Sequence, residues 1–160
     1  MNRSVAATVT IASVLAIVIA VAAWGMDRSG AHPKRDSHGG RVITVIEHAT
    51  TDATTNPGQA DGTGDVLTWA NDVFDAKDSA KVGTDQGYCI RVVAGQSYEC
   101  NWTTFLPGGQ ITVEGPFYDT KDSTLAITGG TGRYRHVRGT MDLKSLEGGT
   151  KYQFVFHLNS

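Results

Sequence analysis

The chain has 160 residues, with 14 Lys and Arg against 16 Asp and Glu and with 19 glycines. From Arg41 onward, ten basic residues face fourteen acidic ones, a net charge of −4, which makes nonspecific nucleic-acid binding a poor candidate role. About 120 residues remain after the N-terminal segment, and these suffice for one domain with one core.

The first 26 residues have the character of an export or membrane segment. Val5 to Met26 contains no charged residue and is rich in Ala, Val and Ile. Its length is sufficient to span a bilayer as a retained signal anchor, whereas Ala20-Val21-Ala22 is a small-x-small cleavage signal typical of a signal peptide. Both alternatives predict an extracytoplasmic domain, anchored in the membrane through residues 5–26 or secreted. Residues 27–40 are polar and predict a flexible tether.

Residues 41–160 show the period-two alternation and short glycine-containing connections of an all-β domain. In Arg41–Ala49, both faces carry apolar residues, which suits a strand of a barrel. Connections such as Ala94-Gly95 favour antiparallel hairpins. The predicted fold is an eight-stranded antiparallel β-barrel preceded by a transmembrane or signal segment. Its strands are expected at Arg41–Ala49, Val66–Phe74, Tyr88–Val93, Tyr98–Phe105, Gln110–Phe117, Thr124–Thr128, Val137–Leu143 and Tyr152–Leu158.

The glycines of Leu125 to Thr140 join two strand-like runs, and no helical pattern follows them. A dinucleotide fingerprint needs its glycines between a strand and a helix, and a P-loop needs Lys-Ser/Thr after its last glycine. Neither condition is met. Gly129, Gly130 and Gly132 therefore indicate positive φ or close approach of two chain segments.

A barrel of this size has either a filled interior or a cavity for one small apolar ligand. Glu47 shares its strand face with Ile43 and Val45, and a carboxylate among apolar neighbours is unfavourable without a role or a partner. The alternative is a bulge that turns Glu47 outward. Glu47 is a predicted catalytic residue. On the predicted strand Val66–Phe74, Asn71 shares a face with Leu67 and Trp69. The residues predicted to line the cavity and contact ligand are Ile43, Val45, Leu67, Trp69, Cys89, Tyr98 and Trp102.

The two cysteines lie at equal distances from the Ala94-Gly95 turn. A hairpin centred there places Cys89 directly opposite Cys100. A disulfide is expected if the domain is exported, and two buried thiols are the alternative. The five histidines lack the short spacings of a zinc site, so no metal is predicted.

Several segments resemble the allene oxide cyclase and dirigent superfamily of eight-stranded barrels. They are Gly129-Gly-Thr-Gly-Arg-Tyr-Arg135 with Arg138-Gly139, Gly87-Tyr88-Cys89 and Ile111 to Tyr118, and the likeness extends from Arg41 to the C-terminus. The resemblance implies that Glu47 lies in the cavity and stabilises charge, and that Cys89 is a cavity residue. It also implies that Asn71 helps to hold an ordered water, which makes Asn71 the second predicted catalytic residue. A second water-binding asparagine of the family is replaced here by Ala49.

These observations predict a cofactor-free cyclase or isomerase that confines a small hydrophobic unsaturated substrate, with Glu47 and Asn71 as polar cavity groups. One alternative is a non-catalytic dirigent-like or lipocalin-like barrel that binds a hydrophobic molecule. Another is a cell-surface interaction domain with a filled barrel. Outward apolar residues also suit a homo-oligomer.

Overall fold

In the computed structural model, which describes residues 40–159, nine antiparallel strands form one sheet that closes on itself. The predicted N-terminal segment and most of the tether lie outside the described residues. No helix within residues 40–159 combines the length and the apolar character needed to cross a membrane. The strands are β1 (Arg41–His48), β2 (Ala53–Thr54), β3 (Val66–Asp75), β4 (Lys81–Val93), β5 (Ser97–Leu106), β6 (Gly109–Tyr118), β7 (Ser123–Gly130), β8 (Arg138–Leu146) and β9 (Lys151–Asn159).

The barrel closes because β1 pairs with a strand on each side. Val45 lies opposite Phe154 of β9 on one side and opposite Asp75 of β3 on the other. From β3 to β9, each strand pairs with the next along the chain, so no crossover helix is needed. The short β2 pairs only with β3. The predicted eight-stranded antiparallel barrel is therefore confirmed, with β2 as an addition on its edge.

Strand β4 begins at Lys81, seven residues before the predicted start at Tyr88. The missed half runs Lys81-Val-Gly-Thr-Asp-Gln-Gly87 and places glycines and Asp85 toward the interior. These residues carry no apolar alternation, so the usual signal of a half-buried strand is missing. The strand forms because its backbone pairs with both β3 and β5.

The apolar core fills the interior of the barrel, and a short 3-10 helix, Gly132–Tyr134, covers one end of it. Tyr134, the last residue of this helix, is buried and belongs to the same core cluster as Val137 and Leu158. Gly132 has φ +57°, and a β-carbon there would lie 2.1 Å from the Gly108 carbonyl oxygen. Glycine is required at this position by both its backbone conformation and the close approach of the two segments.

Several large apolar residues remain exposed on β4, outside the barrel. Tyr88, Ile90 and Val92 alternate with the buried Cys89 and Arg91, so they point away from the core. The homo-oligomer that such residues suit stays a prediction.

The disulfide gives a first prediction. Cys89 lies directly opposite Cys100, and the two are bridged. Removing the bridge should lower the free energy of unfolding by about 2 to 3 kcal/mol, because a cross-link across a short loop restricts the unfolded chain. Urea unfolding of the oxidised chain, the reduced chain and the Cys89→Ala/Cys100→Ala variant measures this. Equal midpoints for all three would contradict it.

Candidate active site

The opposite end of the barrel contains a cavity of about 60 Å³. Its walls are mainly apolar and aromatic, and two carboxyl groups, those of Glu47 and Asp52, reach it. The cavity is much smaller than the pockets that enclose drug-sized ligands. It fits a compact molecule or one compact group of a larger molecule. The lining residues are Glu47, Asp52, Leu67, Trp69, Cys89, Trp102, Phe117, Leu143, Tyr152 and Phe154.

The structure brings only part of the predicted lining together. Leu67, Trp69, Cys89 and Trp102 line the cavity. Ile43, Val45 and Tyr98 do not, and this corrects their predicted placement.

The reason for this correction is the position of each residue along its strand. Val45 is packed in the core, and Ile43 lies toward the end near Tyr134. Tyr98 is buried beside Arg91 and Phe117, at the cavity end of the barrel but outside the cavity lining. Alternation assigned these residues to the inward face correctly, but it carried no information about their depth along the barrel axis.

Glu47 points into the barrel and is 5% exposed. The next residue, His48, lies on the outer face, where its ring stacks on Phe74 at 4.1 Å and its Nε2 is 2.6 Å from Asp78 Oδ1. No bulge interrupts the pairing of β1 with β9, and regular alternation therefore keeps Glu47 inward.

Asn71 fixes Glu47 and also anchors the loop that follows β1. Its Nδ2 donates to Glu47 Oε1 and to Asp52 Oδ1, each at 2.9 Å. Its Oδ1 accepts from the backbone N–H groups of Thr50 and Thr51, at 3.0 and 2.9 Å, and from the Thr51 hydroxyl. The amide therefore positions both the Glu47 carboxyl and the loop after β1, and the water-holding role implied by the resemblance stays a prediction.

Asp85 is the site residue that sequence reasoning missed. It lies on β4 directly opposite Asn71, faces inward and is 1% exposed. Neither of its oxygens has a hydrogen-bond partner of normal geometry, although the Glu47 carboxyl is its neighbour. Two carboxyl groups can bond to each other only when one carries a proton. Asp85 therefore carries a proton at neutral pH, because burial and the neighbouring Glu47 both disfavour its charged form.

Burial sets the charge of this pair. It raises the pKa of Glu47 from 4.5 to about 7, opposed by the hydrogen bond from Asn71. Burial, and then the nearby Glu47 charge, raise the pKa of Asp85 to about 9. The two groups titrate as a pair, so at neutral pH one proton stays with Asp85 while Glu47 gains or loses another easily. Such a group suits acid–base chemistry.

The aromatic wall of the cavity depends on a glycine. Trp69 and Trp102 flank Gly87 across three neighbouring strands, and their rings lie 5.8 Å apart at 64°. A β-carbon on Gly87 would lie 2.2 Å from Trp102 Cβ. Because Gly87 has no side chain, Trp102 can pack directly against β4.

Arg91, a buried residue that the sequence did not single out, stabilises the connections at the cavity end of the barrel. Its Nε donates to Asp61 and its Nη1 to Asp119, both at 2.8 Å. Its guanidinium lies 3.4 Å from the centre of the Tyr98 ring. Because Asp61 and Asp119 belong to different connections, Arg91 ties both connections to the barrel beside the cavity.

The family model that describes the allene oxide cyclase barrel like domain matches residues 42–158. The chain belongs to this family. The match covers the barrel strands except for the first residue of β1 and the last residue of β9, and it includes all of the cavity residues named above.

Three solved structures illustrate the range of proteins similar to this allene oxide cyclase-like barrel. A pyocyanin demethylase is 24% identical, with TM-score 0.62, covering 74% of this chain and 100% of its own. A pterocarpan synthase dirigent protein is 20% identical, with TM-score 0.61, covering 77% and 98%. A Diels–Alderase from Streptomyces koyangensis is 16% identical, with TM-score 0.56, covering 77% and 71%. At these identities the likeness concerns the fold.

The carboxyl pair predicts an unusual dependence of stability on pH. Both pKa values are raised on folding, so between about pH 4 and pH 9 the folded barrel holds more protons than the unfolded chain. Their contribution to stability is therefore complete at acidic pH and is lost as pH rises through the folded values. Glu47→Gln should raise the free energy of unfolding near pH 8 by on the order of 2 kcal/mol and reduce this pH dependence.

Urea unfolding from about pH 5 to pH 8 measures this effect, with Glu99→Gln as the control because Glu99 is exposed on β5. If the two variants differ from the parent by the same amount at every pH, the buried-carboxyl assignment is wrong.

The aromatic wall gives a further prediction. Gly87→Ala should lower the free energy of unfolding by about 2 to 3 kcal/mol, because Trp102 must shift to accommodate the methyl group. Gly129→Ala is the matched control, since the nearest atom to its β-carbon would be Arg138 Nη1 at 3.7 Å. Thermal and urea unfolding compare the two, and a Gly87→Ala variant as stable as the control would contradict the assignment.

Proposed function

We propose that this barrel binds a small hydrophobic unsaturated molecule and catalyses its cyclisation or isomerisation, with Glu47 as the acid–base group. The observation that supports this most strongly is the pKa of Glu47, raised by burial to about 7 inside an otherwise apolar cavity. A general acid or base is most effective when its pKa lies near the working pH.

The neighbouring residues have distinct roles in this proposal. Asn71 orients the Glu47 carboxyl through the 2.9 Å hydrogen bond and does not itself contact substrate. Asp85 keeps a proton beside Glu47, which limits the negative charge that the pair must carry away from water. The aromatic walls hold the substrate in a reactive shape and exclude water from the Glu47 carboxyl.

The similar structures support a small-molecule reaction without selecting one. A demethylase, a pterocarpan synthase dirigent protein and a Diels–Alderase are described on barrels of this shape. All three names refer to the chemistry of small organic molecules. We extend only that common feature to this chain.

A non-catalytic hydrophobic carrier is the second candidate function. The cavity walls favour it, since eight of the ten lining residues are apolar or aromatic. In a carrier, Glu47 would contribute to binding alone. An extracytoplasmic location suits both functions.

The test is product formation from a panel of small dienes, enones and enamines, followed by mass spectrometry. Glu47→Gln should lower the turnover of any converted compound by roughly 10² to 10⁴, because the amide keeps the shape of the side chain but transfers no proton. The exposed Glu99→Gln variant should match the parent. Equal turnover by parent and Glu47→Gln would contradict the proposal, and saturable binding without product would favour the carrier.

A further inference from the structure

The interior of the barrel contains an excess of acid with no basic group to balance it. Glu47 reaches the cavity from inside the barrel, Asp52 reaches it from the exposed loop after β1, and Asp85 lies beside Glu47 with both oxygens unpartnered at 1% exposure. Arg91 is the only Lys, Arg or His among the buried residues of the described chain. Its guanidinium is already bound to Asp61 and Asp119. Within residues 40–159, no cationic side chain lines the cavity.

The same cavity has walls made of aromatic rings in several orientations. The Trp69 and Trp102 rings meet at 64°, and the Phe117 and Tyr152 rings meet at 76° with their centres 5.9 Å apart. Phe154 packs against Trp102 with ring centres 5.5 Å apart. Mutually tilted rings around a small space form the kind of cage that attracts a compact organic cation by cation–π interaction.

The negative charges of this region affect the pKa of the Tyr152 hydroxyl. The pKa of Tyr152 is raised by burial and then by the charges of Asp52 and Glu47. A cation in the cavity would reverse this effect and would supply the counter-charge that the buried carboxyl groups lack.

We propose that the small unsaturated ligand of this cavity carries a compact organic cation, an alkylated ammonium group, with Glu47 and Asp52 as its counter-charges and the aromatic rings as its walls. The inference rests on the proposed function, because it specifies the substrate class of the same site. Among the described residues, no three His, Cys, Asp or Glu side chains are arranged to hold a metal ion, which favours an organic cation over a metal. The small volume of the cavity favours a compact charged group.

The test compares choline with the neutral alcohol in which carbon replaces its nitrogen, by calorimetric titration of the full-length chain. The two probes have nearly the same shape, so a difference in affinity reports charge. We expect choline to bind at least about tenfold more tightly near pH 8, and this preference to fall near pH 5, where Glu47 is protonated. Choline does not titrate, so the pH effect reports the protein.

The Glu47→Gln variant should lose most of the preference for choline and its pH dependence, while Glu99→Gln should keep both. Thermal unfolding shows whether each variant is folded. Equal or tighter binding of the neutral alcohol, or no saturable binding of choline, would overturn the inference.

These outcomes are independent of catalysis. Loss of turnover in Glu47→Gln without a preference for choline would leave the proposed function standing and reject the cationic ligand. The reverse pattern would reject the function and retain the ligand class.

Discussion

The penalty for keeping two carboxyl groups away from water determines how the cavity end of this barrel is arranged. Glu47 and Asp85 face the interior from β1 and β4, and Asn71 lies between their strands on β3. An unpartnered buried charge is strongly unfavourable, so the pair keeps a proton. For the same reason, Glu47 accepts a hydrogen bond from the Asn71 amide. The same amide holds the backbone of Thr50 and Thr51. The loop that follows β1 is therefore tied to the carboxyl that the cavity exposes.

The two ends of the barrel are closed by different interactions. At one end, the 3-10 helix with its buried Tyr134 covers the apolar core. At the other, the basic group that could have neutralised the interior, Arg91, is used to hold the connections containing Asp61 and Asp119. This division leaves the cavity acidic and aromatic. The cavity walls also belong to the core, since Trp102 and Phe154 pack within it, so changes in the cavity affect stability as well as chemistry.

Alternation and turn chemistry were sufficient to predict the eight barrel strands and the Cys89–Cys100 pairing, because both depend on local pattern. They failed for the first half of β4, where the inward positions are Gly83, Asp85 and Gly87. A strand whose interior face is glycine and acid looks like a loop, and its formation depends on pairing with distant strands. Asp85 was missed for the same reason. The signal that could have revealed it is the even spacing of Asp85 from Cys89, which places both on one face.

The resemblance pointed to Glu47 and Asn71, but it could not predict the hydrogen bonds that these side chains make. The role of Asn71 depends on Thr50, Thr51 and Asp52, whose positions follow from the path of a loop with no regular pattern. Depth along the barrel was also beyond the sequence, and this is why Ile43, Val45 and Tyr98 were placed in the cavity. Strand alternation gives the face of a residue, whereas its depth follows from the tilt and register of the closed sheet.

The account depends most on the charge state of Glu47 within the folded barrel. Carbon-13 NMR of the glutamate side-chain carboxyl carbons, followed through a pH titration, measures it directly, and the Glu47→Gln variant assigns the resonance. The account predicts that the Glu47 carboxyl titrates near pH 7, well above the exposed glutamates, with a second perturbation at higher pH as Asp85 loses its proton. A Glu47 midpoint close to the ordinary value of 4.5 would contradict it.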